Sequence, residues 1–127
     1  MPLHSTLALI LCTASLTSNA ALPATPAPAS VVTVHFDYYR KDRAQVRLLE
    51  HRLEKAIKAA GVGELGETEL HEDGNDGYLY LYGADTERLY AVASPILKAS
   101  RLMAGAEVTE REGEHRETFT IRRGGTR

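Results

Sequence analysis

The segment from Tyr78 to Tyr82 reads Tyr-Leu-Tyr-Leu-Tyr, and this strict alternation constrains the fold more than any other feature of the chain. Side chains that alternate with a period of two predict a β-strand with one buried face. If Leu79 and Leu81 point into a core, the three tyrosines point together to the opposite side of the sheet. The sequence therefore predicts a sheet with one covered face and one aromatic face.

The neighbouring segments carry their own secondary-structure signals. The predicted elements are, in chain order, a strand Val31–Tyr38, a helix from its cap Asp42 to Ala60, a strand Gly66–Glu72, a turn over residues 73–77, the strand Tyr78–Tyr82, a helix after its cap Asp85, and strands Ala106–Arg111 and Glu117–Arg123. The apolar stripe of the first helix comprises Val46, Leu49, Leu53, Ile57 and Ala60, with Leu48 and Ala56 widening it. Pro95 lies inside the second helix, where a kink or a restart is expected.

This order of elements, βαββαβ with one extra C-terminal strand, predicts the fold class. It most simply forms a ferredoxin-like α+β sandwich with two helices on one face of an antiparallel sheet. The first and third strands would be central, and residues 31–123 would form a single domain.

The residues before this domain differ from it in composition. All 32 Lys, Arg, Asp and Glu residues lie at or after Asp37, so the first 36 residues carry none. Residues 1–20 are predicted to be a secretory signal peptide, because an apolar run from Leu7 to Leu16 precedes small residues at Ser18 and Ala20. Residues 21–30 are predicted to be a Pro/Ala-rich linker, and residues 124–127 a flexible tail.

The predicted signal peptide, residues 1–20, indicates the localisation of the protein. A periplasmic or secreted protein is expected, or a cytoplasmic one if the true start lies near Val31. The apolar run spans about ten residues against the roughly 20 of a membrane helix, so no stable membrane anchor is expected. The single cysteine, Cys12, would leave with the signal, so the mature chain is expected to have no disulfide.

The candidate binding site is the aromatic face of the sheet. Strand parity places seven side chains of interest there: His35, Asp37, Glu69, His71, Tyr78, Tyr80 and Tyr82. Three interpretations remain open: a protein interface, either a homodimer or a partner complex; a solvated face; and a small-molecule or metal pocket with His35 or His71 as proton carrier or ligand.

Several functional classes lack support in the sequence. The spacings His35-x-Asp37 and Glu69-x-His71 are not diagnostic of a metal, so no metal site, cofactor or catalytic residue is assigned. A net charge of −2 and six acids with no Lys or Arg between Glu64 and Asp76 argue against nucleic-acid binding.

Several short motifs of the chain also resemble those of known proteins. The run from Gly77 to Asp85, followed by Arg88-Leu89-Tyr90 and Pro95-Ile96-Leu97, resembles a group of small bacterial proteins of unknown function with a ferredoxin-like domain. These proteins are also similar in Ala60-Gly61-Val62-Gly63 after the first helix. The resemblance covers about residues 31–122 and implies no catalytic residues, and the signal-like leader is where this chain departs from it.

Together these features favour an exported, non-enzymatic binding or regulatory module that uses the tyrosine-rich face for self-association or partner binding. The alternative is a small dimeric ferredoxin-like enzyme, or a ligand- or metal-binding protein, with His35 and His71 in the cavity of that face.

Overall fold

The structure is a computed structural model that describes residues 30–122. Within these residues the chain is α+β, with two α-helices and six strands in one antiparallel sheet. The elements are β1 Val31–Asp37, α1 Arg43–Ala60, β2 Glu64–Leu65, β3 Glu69–His71, β4 Asp76–Tyr82, α2 Thr86–Ala99, β5 Glu107–Glu112 and β6 His115–Thr120, with short 3-10 helices at Arg40–Asp42 and Arg101–Met103. The predicted signal peptide, the linker up to residue 29 and the predicted tail lie outside the described residues.

The sheet order is β2-β4-β1-β5-β6, and β3 also pairs with β4. Two non-consecutive strands, β1 and β4, therefore lie side by side at the centre of the sheet. Their register pairs His35 with Tyr78 and Thr33 with Tyr80. The predicted α+β class is confirmed, and the strand order is compatible with the ferredoxin-like arrangement.

Both helices pack on one face of the sheet. Alternate residues of the central strands are buried, because only one side of each strand meets the helices. Their side chains join the apolar stripes of both helices in one core, which includes Val32, Val34, Phe36, Tyr38, Leu79, Leu81 and Val108 from the sheet side and Val46, Leu49, Leu53, Ile57, Leu89, Ala93 and Leu97 from the helices.

The predicted strand Gly66–Glu72 is wrong in its bounds: only β3, Glu69–His71, falls within it, and a further short strand, β2, precedes it at Glu64–Leu65. The break begins at Gly66, whose amide donates to the Tyr80 carbonyl at 2.8 Å. A Cβ at this position would lie 2.4 Å from Cε2 of the Tyr82 ring. Gly66 thus lets the tyrosine ring pack across the edge of the sheet.

The two helix starts differ from each other. Asp85 caps α2 as predicted, since its carboxylate accepts from the Arg88 amide at 3.1 Å. Asp42 precedes α1 but does not cap it, because its carboxylate turns back to accept from the Tyr39 amide at 3.1 Å. This bond closes the 3-10 helix before α1.

The predicted apolar stripe of α1 is too wide. Leu48 is 51% exposed and Ala60 is also exposed, whereas the four other leading members of the stripe are buried. One helix buries a limited arc against a sheet, so residues at the border of the stripe remain outside it.

The secondary structure of α2 runs through Pro95 without a restart. Proline removes the hydrogen bond that the Ala91 carbonyl would accept. Both Pro95 and Ala91 are exposed, so water can hydrate this carbonyl. The absence of a restart thus follows from the position of the proline on the solvent side.

The last hairpin is tighter than predicted. Strands β5 and β6 extend to Glu112 and from His115, so only Gly113 and Glu114 form the loop. Gly113 has φ 60°, which suits the first position of a two-residue hairpin turn. Glu112 and His115 belong to the strands because they pair with each other across the ladder, and both side chains are exposed.

Candidate functional site

The sheet face that points away from the helices is called the open face below. It carries one side-chain set from each strand, because residues directly opposite in an antiparallel register share a face. Its members are Val31, Thr33, His35 and Asp37 on β1, Glu64 on β2, Glu69 and His71 on β3, Asp76, Tyr78, Tyr80 and Tyr82 on β4, Glu107, Thr109 and Arg111 on β5, and Arg116, Thr118 and Thr120 on β6. The structure thus places all seven sequence-predicted site residues on one face.

The three tyrosines of β4 form a stripe along the middle of this face. The rings of Tyr78 and Tyr80 lie nearly parallel, with centroids 6.3 Å apart and an angle of 15° between planes. Both side chains are half-buried, and Tyr82 is 38% exposed. Burial raises the pKa of the Tyr80 hydroxyl above its usual 10.0, and the nearby charge of Glu69 adds to that shift. The tyrosine stripe is therefore a partly desolvated aromatic surface.

A cluster of two histidines around Asp76 occupies one end of the stripe. His35 Nε2 lies 2.8 Å from Asp76 Oδ2, and His71 Nδ1 lies 3.2 Å from Asp76 Oδ1. Because an ionised carboxylate can only accept, each of these ring nitrogens carries its hydrogen and donates. Asp76 thereby fixes the orientation of both imidazoles.

Tyr78 holds the same cluster from the side. The His35 ring stacks on the Tyr78 ring, with centroids 4.4 Å apart and an angle of 11° between planes. The His71 ring meets Tyr78 edge-on at 5.9 Å. Asp76 and Tyr78 therefore position both imidazoles. The second nitrogen of His71, Nε2, also lies 3.7 Å from Glu69 Oε2. Among residues 30–122, no side-chain hydrogen bond or ion pair engages Nδ1 of His35, so this nitrogen can make another contact.

Asp76 is the residue that sequence reasoning missed. It was placed in a turn, but β4 begins at Asp76 and pairs it with both His71 and Asp37. The hydrogen bond from His35, followed by that from His71, lowers the pKa of Asp76 below its usual 3.8. Counting back by two from Tyr78 would have found it on the open face.

Asp37 lies outside the histidine cluster. It stands directly opposite Asp76 in the β1–β4 register and is exposed. The spacing His35-x-Asp37 suggested that these two side chains could act together. The structure instead gives His35 a hydrogen bond with Asp76, across the strand pair, and leaves Asp37 at the end of the face.

A hollow lies at the opposite end of the open face. It has a volume of about 250 Å³ and is lined mainly by Thr33, Tyr80, Tyr82, Thr109, Arg111 and Arg116. Arg111 and Arg116 face each other across the β5–β6 pair. Carboxylates thus surround the histidines at one end of the open face. At the other end the two guanidinium groups lie on β5 and β6, and Glu64 lies across the sheet on β2.

A second charged hollow lies on the helix side of the last hairpin. It is lined by four glutamates, Glu87, Glu110, Glu112 and Glu117, together with His115 and Thr86. Burial raises the pKa of Glu110, and the charge of Glu117 adds to the effect. Among residues 30–122, no group of three or more His, Cys, Asp or Glu side chains is arranged to hold a metal ion.

Neither α1 nor α2, the helices of residues 30–122, is long and apolar enough to cross a membrane.

Comparison with known proteins gives no match. The chain matches no protein-family model, and comparisons with curated proteins and with solved structures find no similar protein. The resemblance to small bacterial ferredoxin-like proteins stays a prediction.

Proposed function

We propose that this chain is a non-enzymatic binding module that pairs with a second copy of itself through the open face. The observation that carries this proposal is the tyrosine stripe on β4, together with the unequal charges of the open face: carboxylates surround the histidines near Tyr78, and Arg111 and Arg116 lie on β5 and β6 at the other end. We further propose that the fold is ferredoxin-like with β6 added at one edge, which the strand order supports.

The tyrosine stripe favours a protein surface as its occupant. Tyrosine contributes a large apolar ring and a polar tip, and it is enriched where protein surfaces meet. Tyr78 and Tyr80 belong to a strand next to the centre of the sheet, so their rings are surrounded by neighbouring strands on both sides. Such a surface can meet another sheet face to face at a spacing of about 10 Å.

The charges of the open face favour a second copy as the partner. Consider a two-fold axis that lies between the two sheets and runs across the strands at the level of Thr109. Such an axis would place each strand opposite the same strand of the second copy, in the reverse direction. Since Arg111 and Glu107 lie two residues on either side of Thr109, each arginine would then face a glutamate of the other copy. Opposite charges would meet twice, once at each end of the contact.

The same axis would pair the tyrosines. Tyr80 lies in the same cross-strand row as Thr33 and Thr109, so it would meet Tyr80 of the second copy. Tyr82 would meet Tyr78. The twist of both sheets makes their edges diverge, so the contact would centre on β4, β1 and β5.

Sedimentation of the full chain tests the proposal. The wild type should sediment as a dimer, and Tyr80→Asp should shift it to a monomer because a charge would be buried in the contact. Tyr39→Asp is the matched control, since Tyr39 is 49% exposed and lies outside the open face. A wild-type monomer at every concentration would refute self-association.

A second candidate function rests on the histidine cluster. Asp76 orients both imidazoles, and His71 Nε2 also lies 3.7 Å from Glu69 Oε2. Two imidazoles held beside carboxylates suit proton transfer or ligand binding, with Nδ1 of His35 open to a ligand. Titration of the chain with small carboxylic acids and divalent metals, followed through the imidazole proton signals, tests it. Saturable shifts at His35 and His71 but not at His51 would support this function, and unchanged signals would exclude these ligands.

We also propose that the protein is exported. The proposal rests on the apolar run before Ser18 and Ala20. Fractionation of the source cells with N-terminal sequencing tests it. A mature chain that begins at Ala21 would support export, and a cytoplasmic chain that begins near Val31 would refute it.

A further inference from the structure

We propose that the hollow between Arg111, Arg116 and the tyrosine rings is a binding site for a small anion with one flat ring, such as an aryl carboxylate. This inference goes beyond self-association and does not require it. It rests on the chemistry of the hollow in a single copy of the chain.

The two guanidinium groups provide the anion-binding part of the site. Arg111 and Arg116 are directly opposite each other on neighbouring strands, where like charges destabilise a pair. Among residues 30–122, neither side chain has a carboxylate within 4.0 Å. An anion placed between them would reduce this repulsion and accept from both forks.

Arg111 shows this lack of an acceptor most clearly. Its Nε atom is buried, and no hydrogen-bond acceptor lies within reach of it. A buried donor without a partner is unfavourable, and arginines in folded proteins commonly meet carboxylates or phosphates. Since the Arg111 side chain lines the hollow, a bound anion would give this partly desolvated guanidinium the counter-charge that it lacks.

The remaining walls favour a flat organic body over a bare inorganic ion. The Tyr80 and Tyr82 side chains line the hollow and offer apolar ring surface. Val31 and two threonines complete the lining, and the Thr109 hydroxyl already pairs with that of Thr118 at 3.2 Å. The volume of about 250 Å³ lies below the usual range for drug-sized ligands, so the site fits a molecule with a single ring.

Occupation of the hollow would oppose the proposed pairing. In the paired arrangement, Glu107 of the second copy would approach Arg111, so a bound anion would take the place of that carboxylate. An aryl carboxylate should therefore bind the monomer and shift a dimer towards monomer. If the chain does not self-associate, the site remains intact and binding is still expected.

NMR of the full chain tests the proposal directly at the arginines. The Arg111 and Arg116 Nε–H signals are followed during titration with benzoate, at a concentration where sedimentation shows a monomer. Benzoate should shift both signals saturably, while neutral benzamide should leave them unchanged. Inorganic phosphate should bind at least about tenfold more weakly than benzoate, because it lacks a ring to pack on the tyrosines.

Two variants and a control complete the experiment. Arg116→Gln should weaken benzoate binding by about tenfold or more, since it removes one charge-assisted contact from an exposed position. Arg111→Gln should do the same. Arg47→Gln removes an exposed positive charge from α1 and should leave binding unchanged. If benzoate does not bind, or if Arg47→Gln weakens binding as much as Arg116→Gln does, the proposal is overturned.

Self-association and anion binding fail in different ways. A monomeric wild type that binds benzoate refutes only the pairing. A dimer whose arginine signals do not respond to benzoate, even when diluted to monomer, refutes only the anion site.

Discussion

His35 and Asp76 are joined by a hydrogen bond of 2.8 Å across the two central strands, although they lie 41 positions apart in the chain. The bond exists because the β1–β4 register places Tyr78 beside His35 and Asp76 one step along the same face. His71 approaches the other carboxylate oxygen from β3. Three separate strands therefore meet at this carboxylate, which ties the edge of the sheet to its centre.

The first prediction concerns the ionisation of Asp76. Its pKa should lie below the usual 3.8, because hydrogen bonds from His35 and then His71 stabilise the charged form. His35→Gln should raise this pKa more than His71→Gln does, because the hydrogen bond from His35 lowers the pKa more than the one from His71. NMR titration of the Asp76 carboxyl carbon measures it, with His51→Gln on the exposed side of α1 as the control.

The same shift predicts how stability depends on pH. Because the pKa of Asp76 is lowered in the folded state, ionised Asp76 adds to the free energy of unfolding above about pH 3.8. This stabilisation is lost as the pH falls through the folded-state pKa. Asp76→Asn should therefore reduce the free energy of unfolding at pH 7, and the difference from the wild type should close in acid. Urea denaturation at several pH values checks this. A constant difference at all pH values would contradict the assignment.

The second prediction concerns Gly77, which pairs with Phe36 on the covered face. A Cβ at this position would lie 2.7 Å from Phe36 Cζ and 3.1 Å from the Glu69 carbonyl oxygen. Gly77→Ala should therefore lower the free energy of unfolding by about 1–3 kcal/mol through overpacking.

Gly74 provides the control for this substitution. It lies in the exposed turn before β4, where an added Cβ meets only side-chain atoms. Gly74→Ala should cost less than Gly77→Ala in chemical denaturation. Equal losses would show that the close contact with Phe36 is not the cause.

The third prediction compares two leucines of the same helix. Leu53 is fully buried against the sheet, whereas Leu48 is 51% exposed. Leu53→Ala should reduce the free energy of unfolding by about 2–5 kcal/mol, because it leaves a cavity in the core. Leu48→Ala should change it by less than about 0.5 kcal/mol. Thermal or chemical denaturation of both variants checks the position of the core, and a large loss at Leu48 would contradict it.

The sequence contained enough information to predict the faces of the sheet, because strand parity is a local property. Tyr-Leu-Tyr-Leu-Tyr determines which side of β4 is buried, and the same alternation orients Val32 and His35 on β1. All seven predicted residues of the open face followed from this parity.

Parity could not predict which side chains would meet. The contact between His35 and Asp76 depends on the register of two strands that are distant in sequence. The basic end of the face was missed for the same reason, since Arg111 and Arg116 come together only through the tight turn at Gly113. The predicted strands ended at Arg111 and began again at Glu117, so Arg116 lay outside a predicted strand.

The break between β2 and β3 could not be predicted, because it depends on a tertiary contact between Gly66 and the Tyr82 ring. Gly66 was predicted to begin a strand, but the Tyr82 ring occupies the space beside it. No local pattern shows that a ring from another strand will pack there.

The central claim, that two copies pair through the open face, is tested most directly by exchanging charges between Glu107 and Arg111. These residues lie four positions apart on β5, about 13 Å along the strand, so they interact little within one copy. Sedimentation equilibrium compares the wild type, Glu107→Arg, Arg111→Glu and the double variant, with circular dichroism as the control for folding. We expect a wild-type dimer, at least about tenfold weaker association in each single variant, and recovery of most of that loss in the double variant. A monomeric wild type would contradict the claim. So would a double variant whose loss of association free energy equals the sum of the losses in the two single variants.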